Sequence, residues 1–191
     1  MSRTAFSAHM ILHLGVVALA APLLAIGLIH MGLKLDGVRS LRGWTVIALM
    51  AELIVVWGWH APFLHEAAAR HVGVFVLQQV SFLAVGLAVW LLGFAVRAKA
   101  AVGVAMIGFV LTLMHMTMLG MLLIFAPRLL YPAELCLGAF GFEALDDQRF
   151  GGMLMVGWSG IAYLAGAIAL GRRLLAEEST PAMRKAFGEN G

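Results

Sequence analysis

Five runs of apolar residues divide the chain, at about 8–33, 44–63, 74–96, 101–125 and 152–171. Each is close to the roughly 20 residues that an α-helix needs to cross a bilayer. Backbone amides find no water inside lipid, so segments of this length are expected to be helical. Short polar stretches separate them. Lys34, Asp36, Gly37, Arg39 and Arg42 make the first connection and His60 to Gly73 the second. Within the second, the run His65-Glu66-Ala67-Ala68-Ala69-Arg70 suits a short interfacial helix. Arg97 to Lys99 form a tight third turn, and the longest loop runs from Pro127 to Gly151. The pattern predicts an all-α, polytopic membrane helix bundle of about five transmembrane helices. It forms one transmembrane domain over residues 1–191, with a polar tail at 172–191 that is expected to fray.

Composition agrees. The chain is 62% hydrophobic and 12% charged, with mean hydropathy +0.96. A soluble domain of 191 residues has no means of covering that much apolar surface. The net charge of +3 does not indicate nucleic-acid binding, because the basic residues sit at span ends. Arg3, Arg70, Arg128 and Arg149 fall on one side. Lys34, Arg39, Arg42, Arg97, Lys99, Arg172, Arg173, Arg184 and Lys185 fall on the other. The positive-inside rule then places the N-terminus outside and the C-terminus in the cytoplasm. An alternative stays open at the start: the segment up to Ala20 has signal-peptide features, and its removal would take His9 and His13 with it. The lone cysteine, Cys136, excludes an internal disulfide and any multi-cysteine metal site.

With that orientation, His9, His13, His60, His65, His71 and His115 lie in the outer half of the bilayer or just beyond it, and only His30 lies at the other end. Imidazole is the commonest metal ligand and is costly to bury without a partner. His9 and His13 are four apart and stack on one helix face, a spacing that suits a metal clamp completed from another helix. His115 falls roughly 20 Å up a core of about 30 Å, at a depth similar to His13. Gln78 and Gln79, Met153 and Met155, and His60 reach nearly the same plane from the other spans. Met114, Met118 and Met121 follow i, i+4, i+7 in the fourth span; such a stripe is either a packing seam or a set of soft ligands.

Other residues carry weaker signals. Glu52 lies inside the second span, either protonated, paired with a basic residue, or functional. His65-Glu66 fails the zinc-protease pattern, since Ala69 stands where the second histidine belongs. Gly157, Gly160 and Gly166 have the look of helix-contact positions. Asp146 and Asp147 are placed to cap the fifth span. Glu134, Glu143, Asp146 and Asp147 give the long loop an acidic character, set against Arg128 and Arg149. No nucleophile–base pair, phosphate loop or dinucleotide fingerprint is present, which argues against an enzyme.

Four segments, in order, resemble the CtaG-type cytochrome c oxidase assembly factors. They are His9-Met10-x-x-His13 followed by Ala21-Pro22-Leu23-Leu24; Trp59-His60-x-Pro62-x-Leu64-x-Glu66-Ala67-Ala68; Phe125-Ala126-Pro127-Arg128-x-Leu130-Tyr131-Pro132; and Asp147-Gln148-x-x-Gly151-Gly152-x-x-Met155. The resemblance adds Glu66, Asp147 and Gln148 as functional candidates, beside Glu52 and, from the polar plane, Gln79. It implies a multi-span protein of the bacterial inner membrane that helps to build a haem–copper oxidase. The catalytic subunit of that oxidase is the expected partner, with periplasmic copper chaperones as further ones. The chain departs from the family where relatives often carry histidines early in the third span; here the stretch reads Leu77-Gln78-Gln79-Val80-Ser81-Phe82, with Phe75 before it.

Soft thioether and borderline imidazole groups suit Cu(I). The expectation is a copper site built on His9, His13 and His115, with His60 and Met118 or Met153 as auxiliary ligands. Two alternatives stand beside it: a metal-free scaffold, and a small cytochrome with haem held between His13 and His115.

Overall fold

The computed structural model describes residues 5–33, 35, 41–132, 138 and 140–188, with side chains for all of these except 41 and 177–188. Arg3, Lys34, Asp36, Gly37, Arg39, Glu134 and Cys136 lie outside the described residues. The described chain is helical, and five of its helices are long and apolar enough to cross a membrane.

Helix α1 runs over Phe6–His30. Pro22 lacks an N–H and its ring crowds the carbonyl four residues back, so a regular ladder fails there. The chain relieves this with a π turn at Val16–Ala20, which splits α1 into Phe6–Gly15 and Ala21–His30. The helix ends earlier than position 33 because Gly32 adopts φ +94°. The amides of Gly32 and Leu33 then close back onto Ile29 and Leu28, satisfying the last carbonyls.

Helix α2, Leu41–His60, stops one residue before the bend at Ala61. Ala61 is extended (φ −63°, ψ 134°), as a residue preceding proline prefers, and Pro62 opens the short helix α3, Pro62–Arg70. The interfacial helix expected after His65 is therefore present. Helix α4, Val72–Ala95, and helix α5, Lys99–Phe125, follow after similar extended hinges at His71 and Ala98.

Helix α6 begins at Ala144, not at the start of its apolar run at 152, because Asp146 and Asp147 in its first turn favour a helix N-terminus. It continues through Ala144–Leu154, a π turn at Met155–Ser159 and Gly160–Gly188. At the π turn the Ser159 hydroxyl donates to the Met155 carbonyl and competes with the backbone ladder. Beyond Arg172 the helix carries on to Gly188. Its Ala, Leu, Glu, Lys and Arg are good helix formers.

Around the bundle the neighbours run α1, α4, α2, α5, α6 and back to α1. Lipid is as apolar as the side chains, so packing and interhelical hydrogen bonds hold such a ring together. At its centre Phe109 lies edge-on to Trp90 (4.8 Å) and Tyr163 (5.8 Å). Gly166 makes room for it, since a Cβ there would meet Phe109 at 2.5 Å. The other two glycines expected at contacts are not there. Gly157 has nothing within 4 Å and Gly160 meets only Leu113 at 3.8 Å. The close α5–α6 approach is made instead by Gly120 and Gly152, where a Cβ on Gly152 would lie 2.7 Å from the Gly120 carbonyl oxygen. At the far end from the histidines, Arg173 donates to the carbonyls of Phe94 (3.1 Å) and Val96 (2.7 Å), covering the end of α4.

Gly152→Ala must push α5 and α6 apart and is expected to cost about 1–3 kcal/mol. It should lower the melting temperature in detergent, while Gly157→Ala leaves it unchanged or raised.

Candidate functional site

The first amides of α1 have no partners within their own helix. Asp147 of α6 supplies them. Its carboxylate accepts from Phe6 N (2.8 Å) and Ser7 N (3.4 Å), and the Ser7 hydroxyl donates to its other oxygen. Asp147 is fully buried. The expected cap is real, but it closes α1 rather than Asp147's own helix; α6 has no side-chain cap bond at Glu143. Gln148 beside it accepts from Leu130 N (2.9 Å) and donates to the Leu123 carbonyl (3.3 Å), holding the loop after α5.

These ties bring α1 against the α2–α3 bend, where four histidines collect. His9 and His13 lie on one face of α1, His60 ends α2 and His65 lies in α3, and all four are buried. The His13 and His60 ring centroids are 5.4 Å apart, and those of His9 and His65 5.0 Å. Tyr131 closes the cluster: its hydroxyl donates to the His60 carbonyl (3.1 Å), and its ring stacks on Phe6 (5.0 Å) and leans on His65 (4.3 Å). From α4, Phe82 lies against His13 (3.9 Å). Trp59 donates to Ser81 (2.8 Å), which donates to the Gln78 carbonyl (2.8 Å) and fixes α2 on α4.

The polar atoms are unevenly satisfied. His60 Nδ1 lies 2.7 Å from the Val56 carbonyl, which can only accept, so Nδ1 carries the proton and Nε2 is left with a lone pair. That Nε2, both nitrogens of His13 and Nδ1 of His65 are buried without a hydrogen-bond partner. A carbonyl that fixes one ring nitrogen and frees the other is the usual support of a metal-binding imidazole. Among the described residues, however, no three His, Cys, Asp or Glu side chains converge closely enough to hold one ion.

The remaining candidates lie elsewhere. His115 lines a groove between α2 and α5, together with Met114 and Met118, and among the described residues the ring contacts between histidines join His9 to His65 and His13 to His60. Met118 and Met153 are more than half exposed on the outside of the bundle; Met155 is the buried methionine of that pair. Glu66 pairs with Arg70 on the surface (2.8 Å). Gln79 donates to Gln78 (3.3 Å), and Gln78 itself is fully buried with its amide nitrogen unpaired. Glu52 is fully buried and has no basic partner among the described residues. Tyr163 and Thr112 donate to its two oxygens, the latter at 2.9 Å, joining α2, α5 and α6. Asp146 pairs with Arg149 (3.2 Å) on the surface.

His65, set aside in the sequence because its helix failed a protease pattern, is a member of the cluster. Its signal was its place just after the Pro62 bend. Tyr163 and Thr112 gave no signal of their own.

Residues 1–177 match the family model of the cytochrome c oxidase caa3 assembly factor (Caa3_CtaG). No curated protein and no solved structure shows significant similarity to the chain.

Two outcomes follow from this geometry. Asp147→Ala leaves the α1 amides and Ser7 unpaired and should destabilise the protein by about 1–3 kcal/mol, with faster amide exchange at Phe6 and Ser7. His65 is held down to a pKa of about 4 by burial, and further by its neighbour His60, against an ordinary 6.5. The unfolded chain therefore takes up this proton first. Stability of the metal-free protein is full above about pH 6.5 and falls as the pH drops towards 4. A His65→Gln variant should show a flatter melting-temperature profile over that window.

Proposed function

The chain belongs to the cytochrome c oxidase caa3 assembly factor family, and from that premise we propose that it carries copper for the oxidase at the histidine cluster. One observation supports this above the rest: the His13 and His60 rings lie edge-on to each other, 5.4 Å apart and buried, with lone pairs that no group among the described residues uses. Leaving such groups unpaired costs stability and needs a return. Cu(I) accepts two or three ligands and favours soft or borderline donors, so a His13–His60 pair suits it as cargo, with His9 and His65 beside them as successive ligands. Low coordination keeps release easy, because each ligand can be replaced in turn. In this proposal the cluster lies at the outer face of a bacterial inner membrane, where periplasmic chaperones deliver copper and the oxidase catalytic subunit receives it. The chain then acts as a carrier and not as a catalyst.

A second reading has its own support. Since no three His, Cys, Asp or Glu side chains converge among the described residues, the family role also fits a metal-free scaffold, in which the cluster only shapes the surface that an oxidase intermediate meets.

Titration of the purified protein with Cu(I) against a competing chelator separates the two. His13→Ala and His60→Ala should each weaken binding about tenfold or more, the scale found even for residues that merely support a ligand. Affinity unchanged in both variants, with oxidase assembly intact in cells, would leave the scaffold.

A further inference from the structure

The methionine stripe on α5 has a meaning that its spacing did not give. A packing seam buries its methionines against a neighbouring helix. Here Met114 and Met118 are 61% and 57% exposed, and Met116 is the methionine that faces the bundle interior. The exposure of Met114 and Met118 shows that they do not form a seam buried against a neighbouring helix. They line a groove of about 560 Å³ between α2 and α5, whose opposite wall carries Met50, also exposed at 47%. His115 shares that lining, and both its ring nitrogens are shielded from solvent with no hydrogen-bond partner. Positions 114, 115 and 118 fall on one side of a helix. Three thioethers and one imidazole, from two helices, therefore line a single apolar cleft.

We propose that this groove binds Cu(I) within the membrane through His115 and the thioethers of Met50, Met114 and Met118. All four donors are neutral and soft or borderline, the set that selects a monovalent d10 ion over Zn(II), Mg(II) or Ca(II). Thioethers are flexible and polarisable, and a cleft open to lipid can pass its ion sideways to another membrane protein without exposing it to water. This site is separate from the histidine cluster, and neither needs the other.

The test uses the full chain in detergent or nanodiscs, loaded with Cu(I) under reducing conditions and examined by X-ray absorption and chelator competition. Wild-type protein should show sulfur scatterers around copper. The variant His13→Ala/His60→Ala should keep them, whether or not the histidine cluster binds metal. The variant Met50→Leu/Met114→Leu/Met118→Leu should lose them and one equivalent of copper, with affinity at that site down about tenfold or more. Leucine is close in volume and these positions face lipid, so the variant should melt as wild type does. A nitrogen-only shell in wild type, a sulfur shell that survives the triple methionine variant, or one that vanishes with His13 and His60 would each overturn the proposal.

Discussion

The carboxylate of Asp147 on the first turn of α1 is the contact on which the rest of the molecule turns. A helix N-terminus carries unpaired amides and a partial positive charge. Lipid satisfies neither, and Ala5 at the N-cap has no side chain that can do so. A residue 141 positions away provides the acceptor. The bond joins the first membrane helix to the last, closes the ring of helices, and sets the rotation of α1 about its axis. That rotation decides which way His9 and His13 point. Gly151 fits the same joint, since a Cβ there would strike Phe6 at 2.5 Å.

The same accounting of buried polar groups separates residues that tie elements together from residues left without partners. Glu52, deep in the bundle, is answered by Tyr163 and Thr112. Gln148 is answered by the backbone of α5 and its loop. Arg173 is answered by the end of α4. Each of these ties elements together. His13, His60, His65 and His115 leave buried nitrogens without partners among the described residues, as do Gln78 and Trp57. Unpaired buried polar atoms are costly, and functional sites are where proteins retain them.

The two groups of free donors differ in access. The cluster at the α1 N-terminus is roofed by Tyr131 and walled by Phe6 and Phe82. The groove by His115 opens sideways between two helices.

The five spans and the short helix after Pro62 were legible in the sequence, because span length, apolar content and proline's effect on its neighbours are local properties. The family was legible too, since its motifs are short and stand in order along the chain. The stacking of His9 and His13 followed from helical spacing alone. Spacing says which side chains share a face; it does not say what that face meets. So Asp147 looked like a cap for its own helix, Met114 and Met118 looked equally like core or ligands, and Gly157 looked like a contact. His65 looked incidental. Only the packing of α1 against α6 and of α2 against α5 decided these, because each depends on a partner distant in sequence and on the rotation at which two helices settle.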